Sequence, residues 1–232
     1  MRRSTSDWTA TAVLDHLGAL GTEENRQGMA RFGIDASRAF GVPLSVLRPF
    51  SKDLRKSPDL AGDLWATGFH EARLLAIFIT PPMAMTAELT QRWLDDIHSW
   101  DLCDQLTSVH ARRDDSGVLV PVLVADEREF VKRGGFALIA WRAVHAKAAP
   151  DEEFLECFDF IRAASTDDRN FVWKAVHWAL RQIGKRSANL NGPALDLGED
   201  LLRSEDRTAR KIGRETVKEL SSPKVRSRLG LD

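Results

Sequence analysis

Residues 167–186, DDRNFVWKAVHWALRQIGKR, decide the fold class because at 100° per residue they form an α-helix with two different faces. One face repeats apolar residues at the i, i+3, i+4, i+7, i+8, i+11 spacing of a buried helix: Val172, Ala175, Val176, Ala179, Leu180 and Ile183. The opposite face, expected to meet solvent, repeats Lys174, Trp178, Arg181 and Lys185. An indole among three cations suits a polyanion that carries stackable bases. Packing of Trp178 against a neighbouring helix, with the cations as a solvated fringe, is the alternative.

Helical periodicity continues along nearly the whole chain. The predicted helices cover about 8–20, 22–32, 35–40, 43–54, 58–66, 69–80, 83–97, 100–112, 127–148, 151–164, 168–184, 193–203, 206–220 and 223–229. Residues 117–125, GVLVPVLVA, have strand-like composition, but the internal Pro121 favours a short buried helix. The pattern predicts an all-α fold, an α-α superhelix (solenoid) of degenerate HEAT-like helical repeats. A compact helical bundle is the competing architecture.

Composition indicates a soluble globular protein without a metal or a cofactor. The chain has 232 residues, 43% hydrophobic and 29% charged, which permits one large domain or two small ones. Cys103 and Cys157 lack metal-ligand spacing, which predicts reduced core thiols. The six histidines show no metal spacing either, and no Gly-rich phosphate loop or nucleophile elbow is present. No apolar run long enough to span a membrane and no signal peptide is found, so we expect a cytoplasmic protein with no membrane partner.

Charge is segregated along the sequence although the net charge is only −1. Residues 162–228 contain 15 Lys+Arg and 9 Asp+Glu, a net charge of +6, whereas the remainder contains 18 and 25, a net charge of −7. A basic C-terminal third is typical of one localised anion-binding surface. Ordinary variation in helix-surface charge is the alternative.

Asp104 is the candidate catalytic carboxylate. Ser99 is a good N-cap and Asp101 complements the helix dipole, so both have structural explanations. Asp104 lies beyond the first turn and four residues after Trp100, which places the carboxylate and the indole on one face. Such a carboxylate can stabilise positive charge developing on a sugar or hold a water that attacks it. The alternative is that Asp104 accepts hydrogen bonds from an adjacent helix or pairs with an arginine.

Arg133 is a candidate phosphate ligand in FVKRGG (130–135), which opens a helix that is apolar almost all round. It lies at the edge of the apolar stripe, where a guanidinium can bind a phosphate bidentately while its stem packs. Gly134 and Gly135 lack a β-carbon, so another backbone can approach closely there. Alternatively, Arg133 pairs with Asp104 or another acid and locks two repeats together.

These segments together resemble the bacterial DNA alkylation repair family, the AlkD-type DNA glycosylases built from HEAT-like repeats. The resemblance is carried by SWDLCD (99–104), FVKRGG, residues 167–186 and LWATGFHEARLLA (64–76). It is strongest over about 35–220 and implies a single domain over 1–232. It also implies a concave, positively charged surface that binds duplex DNA and removes cationic N3- or N7-alkylated purines. Within 64–76, Trp65, Glu71 and Arg73 resemble family positions, and a buried ion pair explains the last two without catalysis.

The resemblance assigns roles residue by residue. Trp100 and Asp104 match the family's active-site Trp and Asp, Arg133 its phosphate-contacting Arg, and Trp178 the second aromatic of the DNA cradle. Lys174, Arg181 and Lys185 are then expected to hold phosphates without reading sequence.

The expected partner is double-stranded DNA containing alkylated purines, and the expected state is a monomer, cytoplasmic and with the nucleoid when bound to DNA. Phe130 stands where many members have Trp, and glycines follow Arg133 where alanines are commoner, which bears on affinity and substrate range. The alternative functions are a non-catalytic HEAT-like module that binds DNA or protein, and a purely protein-binding scaffold.

Overall fold

The computed structural model describes residues 8–54 and 56–231, and every regular element within those ranges is a helix. The α-helices are α1 Ala10–Leu20, α2 Glu23–Arg31, α3 Leu44–Leu54, α4 Pro58–Ala66, α5 His70–Ile79, α6 Ala87–Asp95, α7 Trp100–His110, α8 Val120–Val124, α9 Glu129–His145, α10 Glu152–Leu155, α11 Cys157–Ala163, α12 Asn170–Gly184, α13 Ala188–Leu202, α14 Arg207–Leu220 and α15 Pro223–Leu229. Short 3-10 turns occupy Pro82–Ala84 and Ser116–Leu119. None of the helices in this part of the chain is both long and apolar enough to cross a membrane.

The chain forms two compact units, Met1–Val109 and His110–Asp232. In the first unit, the stacked indoles of Trp65 and Trp93 join α4 to α6, with ring centroids 4.2 Å apart and an interplanar angle of 1°. The Trp65 indole N–H donates to Asp96 at 2.9 Å, and the Arg73 guanidinium lies 4.9 Å from the Trp65 ring centroid. This aromatic stack packs α4 against α6, the helix that precedes α7.

Glu71 has a structural role in the first unit that differs from the predicted ion pair with Arg73. Its carboxylate is fully buried and accepts the backbone N–H groups of Phe40, Gly41 and Val42 at 2.7 to 3.1 Å. Arg73 instead donates to the backbone carbonyl of Asp96 at 2.9 Å. Glu71 therefore satisfies the amides of a loop, which a buried carboxylate does strongly.

The predicted helix over 35–40 is wrong, because this segment is a turn. Asp35 accepts the backbone N–H of Ser37 at 2.8 Å, which closes a side-chain turn in place of a helical hydrogen bond. Gly33 and Gly41 flank the segment at φ 72° and 81°, conformations that end helices. Glu71 accepts the N–H of Phe40, the last residue of the segment, and those of Gly41 and Val42 directly after it.

In the second unit, α9, α12 and α14 lie side by side and run parallel. Trp141 of α9 meets Trp178 of α12, 37 positions later, and Arg181 of α12 binds Glu219 of α14, 38 positions later. Lys185, directly after α12, also binds Glu219, near the end of α14. The C-terminal ends of the two helices therefore lie together. A step of about 38 residues therefore separates successive parallel helices, which is the degenerate repeat that the sequence predicted.

Two glycines let helices of the second unit approach closely. A β-carbon on Gly135 would lie 2.7 Å from the backbone nitrogen of Val124, so α9 can pack on α8 only with glycine there. A β-carbon on Gly213 would lie 2.4 Å from the carbonyl oxygen of Gly198, where α14 crosses α13. The predicted close approach at Gly135 is confirmed.

Residues 117–125 form the short helix that the sequence predicted, and no strand. The 3-10 turn leads into α8, in which Pro121 occupies the first turn, where its missing N–H costs nothing. Only one side of this segment is buried, since the side chains of Val118 and Val122 are 63% and 52% exposed.

Several helix boundaries differ from those predicted. The segment 151–164 is divided into α10 and α11, and the segment 193–203 belongs to a longer α13 with Pro193 inside it. Helix α13 begins earlier because the Ser187 hydroxyl accepts the N–H of Leu190 and caps it. Helix α6 begins later than predicted because Thr86 caps it in the same way. The predicted core thiols are confirmed, as Cys103 and Cys157 are both buried.

Candidate nucleic-acid interface

In the first unit, α7 positions the candidate catalytic pair. Trp100 is half-buried, and its indole N–H donates to the backbone carbonyl of Phe32 at 2.9 Å, which fixes the ring. Asp104 lies one helical turn later and is 9% exposed. The side chain of Gln105, next along the helix, accepts a hydrogen bond from Arg48 at 2.9 Å, so α3 holds α7 in place. The carboxylate is thus near the surface but largely withdrawn from water, a setting in which its charge acts strongly.

Asp101 has the structural role that its position predicted. Its carboxylate accepts a hydrogen bond from the Ser99 hydroxyl and contacts His70 Nε2 at 2.9 Å. Burial alone would raise the pKa of Asp101, but His70, the Ser99 hydroxyl and the N–H of Leu102 together hold that pKa below its usual value. Asp101 therefore anchors the start of α7 as an ionised group.

In the second unit, Trp178 is half-buried and packs edge to face against Trp141, with centroids 5.1 Å apart at 83°. Trp141 in turn stacks on the His145 ring at 5.4 Å. The predicted alternative, packing against a neighbouring helix, therefore describes one edge of Trp178. Because the ring is only half-buried, part of it is still available to a ligand.

The three cations on the outer face of α12 differ in their surroundings. Lys174 is exposed, whereas Arg181 and Lys185 both bind Glu219 of α14, Lys185 with its Nζ 2.6 Å from the carboxylate. Burial alone would raise the pKa of Glu219, but these two cations bring it below its usual value. Arg181, Lys185 and Glu219 together therefore have a net charge of about +1.

Arg133 is almost completely buried, at 6% exposed. Its Nη1 donates to the backbone carbonyl of Phe171 at 2.8 Å, which ties α9 to the start of α12. The guanidinium therefore joins two repeats, and its contact with a phosphate remains a prediction.

His177 is a neutral group on the same helix. Burial, with Arg181 as the next cause, lowers its pKa to about 4, so the imidazole is uncharged at neutral pH. Nε2 is buried without a hydrogen-bond partner among the described residues. His177 consequently adds no charge to the cationic face of α12.

A second cationic face, on α14, was not singled out from the sequence. Arg207, Lys211, Arg214 and Lys218 are all exposed. The signal was available in the sequence, since these four cations repeat at the same i, i+4, i+7, i+11 spacing as Lys174, Trp178, Arg181 and Lys185.

One cavity of the first unit suits DNA poorly. It has a volume of about 290 Å³ and is bordered by three carboxylates and two guanidinium groups: Asp35, Asp95, Asp96, Arg38 and Arg73. The acidic side chains repel a polyanion. Among residues 8–54 and 56–231, no group of His, Cys, Asp and Glu side chains has the arrangement of a metal site.

The model of a family described as DNA alkylation repair enzyme matches residues 13–220. The chain belongs to the DNA alkylation repair enzyme family. The family resemblance predicted from the sequence motifs is confirmed. No curated protein matches the sequence.

Solved structures add a fold relationship for this member of the DNA alkylation repair enzyme family. One structure, with a TM-score of 0.79 over 97% of each chain and 18% identity, belongs to "a new family of proteins related to the HEAT-like repeat DNA glycosylases with affinity for branched DNA structures". An engineered protein matches with a TM-score of 0.35, 14% identity and coverage of 88% of this chain and 95% of its own, too low for any argument. The predicted all-α fold of HEAT-like repeats is confirmed.

Proposed function

We propose that this member of the DNA alkylation repair enzyme family is a DNA glycosylase that excises cationic N3- and N7-alkylated purines from duplex DNA. The observation that carries the proposal is the pair on α7, a largely buried carboxylate, Asp104, one helical turn from the fixed indole of Trp100. This pair lies in a chain whose residues 13–220 match the family model.

The chemistry follows from the charge of the lesion. An alkylated purine is already cationic, so its bond to C1′ of the sugar is weakened and no acid is needed to protonate the leaving group. Asp104 stabilises the oxocarbenium-like sugar by its negative charge and positions the attacking water. Water adds to C1′ as the C1′–N bond breaks, and the electron pair of that bond neutralises the departing purine. The products are a free base, an abasic site and a proton, and the reaction uses neither a metal nor a cofactor.

The other predicted residues bind and orient the DNA. Trp100 in the first unit and Trp178 in the second each contact DNA through the ring, by CH–π and cation–π interactions of about 0.5 to 2 kcal/mol. Phosphates are bound by the four predicted cations: Arg133, Lys174, Arg181 and Lys185. We infer that one domain spanning 1–232 acts as a cytoplasmic monomer, with the nucleoid when bound to DNA.

Release of free bases tests the proposal directly. Purified protein is incubated with duplex DNA methylated at purine nitrogens, and released bases are separated by chromatography. We expect 7-methylguanine and 3-methyladenine in the soluble fraction. Binding of the methylated duplex without release of either base would contradict the proposal.

A non-catalytic DNA-binding role is the second candidate. The structural relative with 18% identity belongs to proteins described as having affinity for branched DNA. Tighter binding of a four-way junction than of a linear duplex, together with no base release, would favour this role.

A further inference from the structure

We propose that the outer face of α14 is a second surface that binds the phosphate backbone of duplex DNA. We call it the α14 stripe: Arg207, Lys211, Arg214 and Lys218. The proposal rests on the proposed function only for the identity of the polyanion, DNA. None of the site residues predicted from the sequence belongs to this surface.

Helical geometry places the α14 stripe directly opposite the core. At 100° per residue its four members fall within about 60° of one another. The buried residues of the helix lie on the other side: Ala209, Ile212, Gly213, Thr216 and Leu220. The stripe is therefore an outward face that packing of the second unit does not explain.

The charges of the stripe are not compensated within the described part of the chain. Arg207, Arg214 and Lys218 have no ion-pair partner among residues 8–54 and 56–231, in contrast to Arg181 and Lys185, which share Glu219. Like charges at i, i+4 on one helix destabilise it slightly. Binding of a polyanion relieves this repulsion between the cations of the helix. It also releases counterions from the polyanion, and both effects favour binding.

Lys211 links the stripe to the predicted DNA-binding face of α12. Its Nζ lies 3.9 Å from the ring centroid of Trp173, and Lys174 Nζ lies 5.8 Å from the same ring. Two ammonium groups from neighbouring parallel helices thus meet at one indole. The stripe continues the cationic surface that begins at Lys174.

The dimensions and composition of the stripe fit a nucleic-acid backbone. From Arg207 to Lys218 the helix rises by about 16 Å, a distance over which one DNA strand presents roughly five phosphates. The stripe contains no apolar side chain that would insert into a lipid bilayer, which disfavours a membrane. A row of lysines and arginines contacts phosphates without reading bases, so the expected binding is independent of sequence.

A matched pair of double variants tests the proposal with an undamaged duplex as the probe. Arg207→Gln/Arg214→Gln removes two arginines of the stripe, and Arg162→Gln/Arg203→Gln removes two exposed arginines that instead pair with Asp200. Glutamine is a good helix former, so both proteins should fold. Thermal unfolding checks that they do. The dissociation constant is then measured across a range of salt concentrations.

We expect the stripe variant to lose about tenfold or more in affinity near 0.1 M salt and to reduce the slope of log K against log [salt] by about 2. The Asp200-paired variant should keep the wild-type slope. Equal slopes in both double variants and the wild type would overturn the proposal, as would equal losses in the two variants. Loss of binding to anionic phospholipid vesicles with DNA binding intact would also overturn it. Base release is not part of this measurement, so the outcome is independent of whether the protein is a glycosylase.

Discussion

The indole rings of Trp141 and Trp178 meet edge to face at 5.1 Å, on parallel helices whose equivalent positions are 37 residues apart. Trp178 is one of the two aromatic residues predicted to contact DNA, and Trp141 packs against its ring. Edge-to-face aromatic pairs stabilise a fold by more than the burial of their apolar surface alone. Trp141 is therefore expected to act on DNA binding through Trp178.

A double-mutant cycle measures this coupling. We expect Trp141→Leu and Trp178→Leu to show a coupling of about 0.5 to 1.5 kcal/mol in the free energy of unfolding, because each substitution removes the same ring contact. Urea denaturation of the two single variants and the double variant gives the number. A cycle of Trp141 with Trp173, which stacks on His177, is the control and should be additive. Additivity in the Trp141–Trp178 cycle would show that the ring contact carries no energy.

We expect Glu219 to compete with DNA for two cations, Arg181 and Lys185. Glu219→Gln leaves Arg181 and Lys185 without their shared carboxylate, so both become available to phosphates. We expect affinity for duplex DNA to rise several-fold at low salt, and the salt slope to steepen by about 1 to 2. Asp159→Asn is the matched control, since Asp159 is exposed, lies on α11, which has neither cationic face, and carries the same charge. An equal gain in both variants would mean that only net charge matters.

His177 makes stability depend on pH. Its folded pKa of about 4 lies below the ordinary value of 6.5, so the unfolded chain binds the proton more readily. Its contribution to stability is full above pH 6.5 and declines as pH falls toward 4, by an amount on the order of 1 to 3 kcal/mol. His177→Gln should flatten the free energy of unfolding between those limits, measured by urea denaturation at several pH values. The same change at His98, an exposed histidine, should leave the wild-type profile; equal slopes for His177→Gln and wild type would contradict the assignment.

The sequence predicted the features that depend on local periodicity. Helix α12 buries Val172, Val176 and Leu180 as its spacing required. The short helix at 117–125 was predictable because Pro121 is excluded from a central strand. The repeats could be predicted only as degenerate, because the sequence does not repeat the same residues at a fixed interval. The period of about 38 residues is seen in the spacing of contacts between helices, such as that of Arg181 with Glu219.

Features that depend on contacts distant in sequence were missed. The segment 35–40 looks helical in sequence, but the carboxylate of Glu71, about 30 residues later, accepts the N–H groups of Phe40 and Gly41 at its end. Arg133 lies at the edge of an apolar stripe in sequence, yet a carbonyl of the next repeat, that of Phe171, binds it inside the fold. In both cases the missing information is which residue a neighbouring helix supplies.

The release of 7-methylguanine by the Asp104→Asn variant tests the central claim most directly. The substitution keeps the size of the side chain and removes the charge proposed to stabilise the sugar cation, so we expect the single-turnover rate to fall by about 100-fold or more with duplex affinity unchanged. Asp63→Asn, on the exposed side of α4, controls for loss of one negative charge and should keep the wild-type rate. An Asp104→Asn protein that releases the base as fast as the wild type would contradict the account.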